Sequence, residues 1–469
     1  MTFPRYPEYK GSGVGWLGEV PAHWEVKPLK HVATYNDDVL PESTPDNFEI
    51  KYVEISDVDE HRGVVGWSVH TFASAPSRAR RVLRPGDVLI STVRTYLRAI
   101  APVIQPPANL IGSTGFAVIR PVSTEFRSGL LGYALRAECF ISEVISRSVG
   151  VSYPAINASD LVSIQVPVPP LAEQLEITSF LGHQTAKIDK LIEEQRRLIE
   201  LLKEKRQAVI SHAVTKGLDP NVPMKDSGVE WLGEVPAHWE VGKIRYFARL
   251  ESGHTPSRNH PEYWENCTVP WFTLADVWQI RSGEVTEVCD TSEKVSELGL
   301  AHSSARVLPK GTVMLSRTAS VGFSAIMGRD MATTQDFANW VCEGKLDSRY
   351  LLFCFRAMKE EFSRLMRGST HKTIYMPDIA ELMCAVPPLH EQRKIVKAIE
   401  ERLSATRSLI ETATNAVSLL GERRSSLISA AVTGKIDVRG WSAGAEAEAP
   451  ELAMVAEESA GYSAQGGAA

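Results

Sequence analysis

Residues 171–215 contain no proline, and their apolar positions recur at the alternating three- and four-residue steps of a helix with one buried stripe. One heptad frame puts Leu181, Ile188, Gln195, Leu202 and Val209 at one seam position, with Gln184, Leu191, Leu198, Lys205 and His212 at the other. Shifted by 218 residues, the same frame gives Ile399, Thr406, Ala413, Leu420 and Leu427, with Arg402, Leu409, Ala416, Arg423 and Ala430. Such seams are apolar enough to pair and too polar for ideal zippers. Seven acidic and eight basic residues in 171–216 suit flanks that face solvent or a polar partner. At ~1.5 Å per residue such a helix is a rod of roughly 65 Å, long enough to hold two domains apart. Ahead of each helix the period changes. Residues 27–167 and 242–385 alternate short apolar runs, such as YVEISDV (Tyr52–Val58) and DVLIST (Asp87–Thr92), with Pro, Gly and Asn turns. That is the pattern of short strands in a compact mixed α/β domain.

The recurrence of the helix is one part of a larger repeat. VGWLGEVPAHWEV at 14–26 returns as VEWLGEVPAHWEV at 229–241, and RVLRPGDVLIS at 81–91 answers RVLPKGTVMLS at 306–316. VPPLAEQLEI at 168–177 pairs with VPPLHEQRKI at 386–395, and VISHAVT at 209–215 with LISAAVT at 427–433. The chain is therefore a tandem duplication in which the frame is copied closely and the middles diverge. The expected segments are an N-terminal frame 1–26, a first variable domain 27–170, a helix 171–216 and a linker with the repeated frame 217–241. A second variable domain 242–388, a second helix 389–436 and an acidic Ala/Gly tail 437–469, expected to be disordered, complete the plan.

Composition narrows the function. With 469 residues, 43% hydrophobic and 23% charged, the chain has the make-up of a globular protein of two or three domains. No apolar run is long enough for a membrane span, and the start MTFPRYPEYK is unlike a secretory signal, so a cytoplasmic location is expected. The five glutamates after Trp441 account for all but −1 of the formal −6 charge, so any nucleic-acid-binding charge in the remainder must be local. The six cysteines form no CxxC pair and read as small buried hydrophobes. No Walker loop, strand–helix GxGxxG, HExxH, GxSxG or Asn/Asp-Pro-Pro-aromatic tetrapeptide is present, which points to a binder and spacer and to no catalytic site. His23 and His238 recur beside Trp24 and Trp239, but no sequence cluster of thiols or carboxylates accompanies them. Packing of a His–Trp pair is expected there, and no metal site.

Local charge does appear. Residues 78–98 carry six Arg and one Asp, whereas 27–170 balance 14 basic against 14 acidic residues. Arg78, Arg80, Arg81, Arg94 and Arg98 are thus candidates for phosphate contact and for bidentate grip of guanine. In the second middle, SGHTPSRNHPEYW (252–264), LSRTASVG (315–322), ATTQDF (332–337) and GSTHKTI (368–374) concentrate side chains that reach base edges and phosphates. The candidates there are Ser257, Arg258 and Asn259 in the first loop, Arg317 and Thr318 in the second, Gln335 in the third, and His371 and Lys372 in the fourth. Along the helices, Leu181, Ile188, Leu191, Leu198, Leu202 and Val209, with Ile399, Leu409, Leu420 and Leu427, are candidates for coiled-coil or partner contact.

The doubled GWLGEVPAHWEV, followed by VPVPPLAEQLEI and AVPPLHEQRKI at the starts of long helices, resembles the specificity subunits of type I restriction-modification systems. SGHTPSRNHPEYW with VPWFTLADV, then TTQDF and GSTHKTI, is similar to a target-recognition domain of that family. The resemblance spans residues 13–437. It implies an α+β fold: a tandem duplication of a mixed α/β target-recognition domain plus a long helix, the helices forming an antiparallel coiled coil with pseudo-twofold symmetry. It also implies a non-catalytic reader of double-stranded DNA, each domain reading one half of a split, asymmetric sequence. The implied partners are two methyltransferase subunits, which use S-adenosylmethionine to methylate adenine, and two ATP-dependent restriction subunits. S-adenosylmethionine, ATP and Mg are then expected on those partners and none on this chain. The competing readings are a fused restriction or modification enzyme with its own site, or a coiled-coil scaffold without DNA specificity.

Overall fold

A computed structural model describes residues 3–59, 62–368 and 372–442. Of the acidic tail expected over 437–469, residues 443–469 lie outside these residues, as does the candidate His371. The chain divides into two compact units, one formed by 1–194 with 416–469 and the other by 195–415. Each unit therefore contains one variable domain, half of one long helix and half of the other.

Each unit has two small sheets of three to five strands. In the first unit one sheet has the order Ile100–Pro102, Val88–Ser91, Phe116–Pro121, Ala33–Tyr35, all antiparallel. The other runs Ser68–Thr71, Glu49–Val53, Leu110–Ser113, Ala79–Val82, with one parallel pair at Leu110–Ser113 and Glu49–Val53. In the second unit the sheets have five strands (Ala248–Ser252, Phe337–Cys342, Val313–Ser316, Ser324–Met327, Glu287–Val288) and three (Glu293–Val295, Val269–Phe272, Ala332–Thr333). A parallel pair recurs where Val269–Phe272 meets Ala332–Thr333. The unbroken apolar runs VLIS and VMLS form the wholly buried strands Val88–Ser91 and Val313–Ser316, which have neighbours on both edges.

The long helices are Leu171–Lys216 and Leu389–Val432. In the first unit Ile177, Phe180 and Leu181 share a core with Ile428, Ala431 and Val432, and Arg424 Nε reaches Asp189 at 2.8 Å, so the two helix segments run antiparallel. In the second unit Ile210, Ala213 and Val214 share a core with Ile395, Val396 and Ile399, while Arg206 and Arg407 both bind Glu284, again antiparallel.

The first expected seam points inward: Leu181, Ile188, Leu202, Ile399 and Ala413 are buried, and Val209, Leu420 and Leu427 half-buried. The second seam needs correction by one residue in both helices. Leu191, Leu198 and Leu409 face outward, 44%, 42% and 55% exposed. The inward places go to Thr185, Ile192, Ile199, Arg206 and Ala213, and to Leu403, Ile410, Val417, Arg424 and Ala431. A seam with a 3.5-residue period can take either inner step, and the polar residues decide between them. The expected frame would bury Lys205 and His212 in one helix and Arg402 and Arg423 in the other. The observed frame buries Thr185, whose hydroxyl donates to the Leu181 carbonyl at 2.7 Å, and takes inward the two arginines that have acidic partners, Arg206 and Arg424.

Candidate nucleic-acid interface

The repeated phrase is the clamp that holds each variable domain to its helix. Its last residues form the strand Glu25–Pro28, which pairs antiparallel with Gln165–Val168; Glu240–Lys243 pairs with Met383–Val386 in the same way. Each partner strand leads through two prolines into a long helix, so the Trp of the phrase meets the Glu-Gln pair of the helix's first turn. The buried Trp24 indole donates to Glu173 Oε1 at 3.1 Å, and His23 Nε2 stands 2.8 Å from Oε2. In the second unit Trp239 donates to Glu391 Oε1 at 3.0 Å and His238 lies 2.9 Å from Oε2. The next residue grips the variable domain. Gln174 accepts from Arg127 N and donates to the Glu125 and Pro169 carbonyls, and Gln392 accepts from Asp347 N and donates to the Lys345 and Pro387 carbonyls. Thus only the Trp of each pair is packed away, and the His, 41% and 47% exposed, joins it on one carboxylate instead. The first unit adds the Tyr6 hydroxyl as a donor to Glu173. Burial and that hydrogen bond raise the Tyr6 phenol's pKa well above its usual range.

On this frame the second unit gathers four loops through their backbones. His254 N donates to the Thr333 carbonyl at 3.0 Å, and the Thr255 hydroxyl to Gln335 Oε1 at 2.7 Å. Gly253 permits this approach: a Cβ there would overlap Thr333 Oγ1 and the carbonyls of Thr333 and Thr334. Arg317 N donates to the Asp336 carbonyl, Ile374 N to the Arg317 carbonyl, and Ala319 N to the Lys372 carbonyl, each at 2.9 Å. Arg317, Thr318, Gln335 and Lys372 therefore share one surface, with Gln335 and Lys372 exposed. Arg317 reaches the Ile374 carbonyl with one terminal nitrogen at 3.4 Å, while its Nε is buried without a partner. Ser257, Arg258 and Asn259 lie further along the first loop. Arg258 stacks on Trp264 with its guanidinium carbon 3.7 Å from the ring centre, and pairs with Glu293 at 3.1 Å.

The first unit repeats this assembly with other residues. Thr114 N donates to the Arg78 carbonyl, Thr92 N to the Gly115 carbonyl, and Ile156 N to the Thr92 carbonyl. Val93 bridges Ala155 as Thr318 bridges Thr373, and Arg94 and Ala319, each three residues after a buried serine, share a left-handed backbone with φ of 52° and 57°. The loops at 92–98 and 113–115 are thus the counterparts of those at 317–323 and 334–336, and the bridge of Val149 to Ala155 is the counterpart of that of Arg367 to Thr373. Of the candidates, Arg78 is exposed, Arg80 lies over the Phe72 ring at 4.9 Å, and Arg94 over Tyr153 at 4.8 Å. Arg98 forms a bidentate pair with Glu138 at 2.7 and 2.8 Å. Arg81 is half-buried, and burial lowers its pKa from the usual arginine value. The arginine cluster read from the sequence therefore divides into outward groups, Arg78 and Arg94, and groups tied into the domain.

The hairpin at 149–155 has no signature of charge in the sequence, because GVSYPA carries no charge and few polar groups. A signal was present in register: in both copies an Ile and a short helix follow, Ile156 with Ala158–Leu161 in INASDL and Ile374 with Met376–Ala380 in IYMPDIAEL. Among the described residues no cluster of His, Cys, Asp and Glu fit to hold a metal is present, and no helix is long and apolar enough to cross a membrane.

Residues 21–201 and 236–418 match the sequence model of the type I restriction modification DNA specificity domain. A Methanocaldococcus jannaschii protein provisionally named the type I restriction enzyme MjaX specificity subunit is 24% identical over 448 residues, which is 90% of this chain and 96% of that one. The EcoKI specificity subunit of Escherichia coli is 23% identical over 348 residues, 71% of this chain and 70% of its own length. Among solved structures, the HsdS subunit from Thermoanaerobacter tengcongensis superposes with a TM-score of 0.53 at 23% identity, covering 88% of this chain and 98% of that one. A chain from a study of complex assembly and conformational transition of the type I R-M system gives 0.69 at 22% identity, with the same coverage of 88% and 98%.

Proposed function

The chain belongs to the type I restriction modification DNA specificity family, and from that premise we propose that it is the sequence-reading subunit of such a system, without a catalytic site of its own. Each unit reads one half of a split, asymmetric duplex sequence through its loop surface. The observation that carries this reading is the equivalence of the two loop surfaces: the backbone bonds that assemble them recur, while the side chains they present differ. A conserved scaffold with divergent loops is what reading two unlike half-sites requires.

The outward residues of the helices support the reading of two like partners. Leu191 and Leu409 occupy equivalent exposed places, as do Leu201 and Leu419, at 51% and 64% exposure. Two like apolar stripes suit two copies of one partner, the methyltransferase subunit, through which two restriction subunits join. S-adenosylmethionine belongs to the former, ATP and Mg to the latter. In a footprint with the methyltransferase partner bound, the full chain protects one split sequence. Protection of none would overturn the reading, and methyl transfer or cleavage by the isolated chain would favour an enzyme with its own site.

A further inference from the structure

The hairpin of the first unit stands out from the rest of its loop surface because it is apolar. Val149 is 80% exposed, Tyr153 65%, and Val151 fully exposed, beside Tyr96 and Leu97 at 51% and 47%. Five large apolar or aromatic side chains turned outward at one place form an unusual surface, and such a patch marks a contact. The hairpin is also held in shape. Val149 and Ala155 exchange two backbone hydrogen bonds, of 2.8 and 2.9 Å. The Thr95 and Ser148 hydroxyls lie 2.8 Å apart, and Arg94 covers the Tyr153 ring. Gly150 turns the tip with φ of 116°, and a Cβ there would crowd the Tyr153 carbonyl. A display fixed in advance loses little entropy on contact.

Resting on the function proposed above, we propose that this hairpin tip enters the major groove of the first unit's half-site and packs Val151, flanked by Val149 and Tyr153, against a thymine methyl group. Three observations favour DNA over a protein as the occupant. The hairpin's counterpart in the second unit is the bridge of Arg367 to Thr373, which sets the exposed, polar Lys372 beside the Arg317 segment. It bonds to the segment that bears Arg94, and that segment continues through Gly115 and Thr114 to Arg78, so the apolar tip belongs to an edge able to contact phosphate. The thymine 5-methyl is the one apolar group on the major-groove edge of the bases, and only an apolar side chain rewards it. The two units thus read by different chemistry, one by apolar contact and one by hydrogen bonds.

The test uses the full chain with its methyltransferase partner and duplexes in which each thymine of the first half-site is replaced in turn by uracil, which lacks only the methyl group. At one position uracil weakens binding about four-fold, the worth of one buried methyl. In Val151→Ser that difference disappears, while the second half-site is read as before. Val151 is wholly exposed, so the substitution spares the fold. Equal thymine-to-uracil effects in both proteins would overturn the proposal, as would a first half-site without thymine. So would a Val151→Ser protein that binds DNA normally but assembles poorly with its partner, which would make the hairpin a protein contact. If the parent complex protects no split sequence at all, the function proposed above fails and this inference fails with it. Protection that ignores the hairpin sinks this inference alone.

Discussion

The first unit presents an apolar, aromatic hairpin where the second bridges Arg367 to Thr373 beside an exposed Lys372, yet in both the same Trp, His, Glu and Gln make the same hydrogen bonds. The contrast shows where each kind of constraint acts. A buried indole N–H or carboxylate left without its partner costs ~1–3 kcal/mol, so the frame tolerates little change. Loop side chains that face outward on bonds made by backbone atoms can change freely, because the backbone supplies the geometry whatever the side chain. Duplication with divergence has therefore kept the clamp and varied the loop surface.

That comparison can be strained first at its common base. Trp24→Ala and Trp239→Ala each remove a wholly buried indole, and each is expected to cost ~3–5 kcal/mol in urea unfolding, confined to the unit that carries it. Losses much smaller in one unit would show that the two clamps are not equivalent. A smaller effect separates reader from frame. Gly253→Ala places a methyl against Thr333 and Thr334 and is expected to cost ~1–3 kcal/mol, with weaker reading of the second half-site and the first untouched. Binding to duplexes altered in one half at a time distinguishes the two.

The smallest effect tests the one asymmetry within the clamp. Tyr6→Phe removes a donor to Glu173 and is expected to cost ~1 kcal/mol. The phenol's pKa is raised above 10.0 in the folded chain, so its stabilising contribution is complete below about pH 10 and fades as pH rises past it. The parent protein therefore loses stability more steeply than Tyr6→Phe at alkaline pH. Parallel pH profiles would remove Tyr6 from the clamp.

Much of this plan was readable from the chain, for physical reasons that differ by element. Repeated phrases, apolar strand runs and proline-free helices report directly on burial and backbone, and they located the duplication and both helices. The second helix seam sits one residue from its expected frame because Leu191-Ile192, Leu198-Ile199 and Leu409-Ile410 offer an apolar residue at either step. Only the cost of burying Lys205, His212, Arg402 and Arg423 chooses between the frames. The clamp was half legible: the phrase and the PPLxEQ segment were each seen to repeat, but their contact spans 149 residues in one copy and 152 in the other. The near-constant separation was the available clue. Arg98 could not be told from Arg94 by composition, since only the fold brings Glu138 to it. The hairpin at Val151 stayed hidden because exposure of an apolar residue is a property of the folded chain alone.

The most direct test of two independent readers is to exchange residues 242–385 for the matching segment of another family member and to map methylated adenines in the host genome. One half of the methylated sequence should change and the other should stay as it was. A change in both halves, or in neither, would contradict the account.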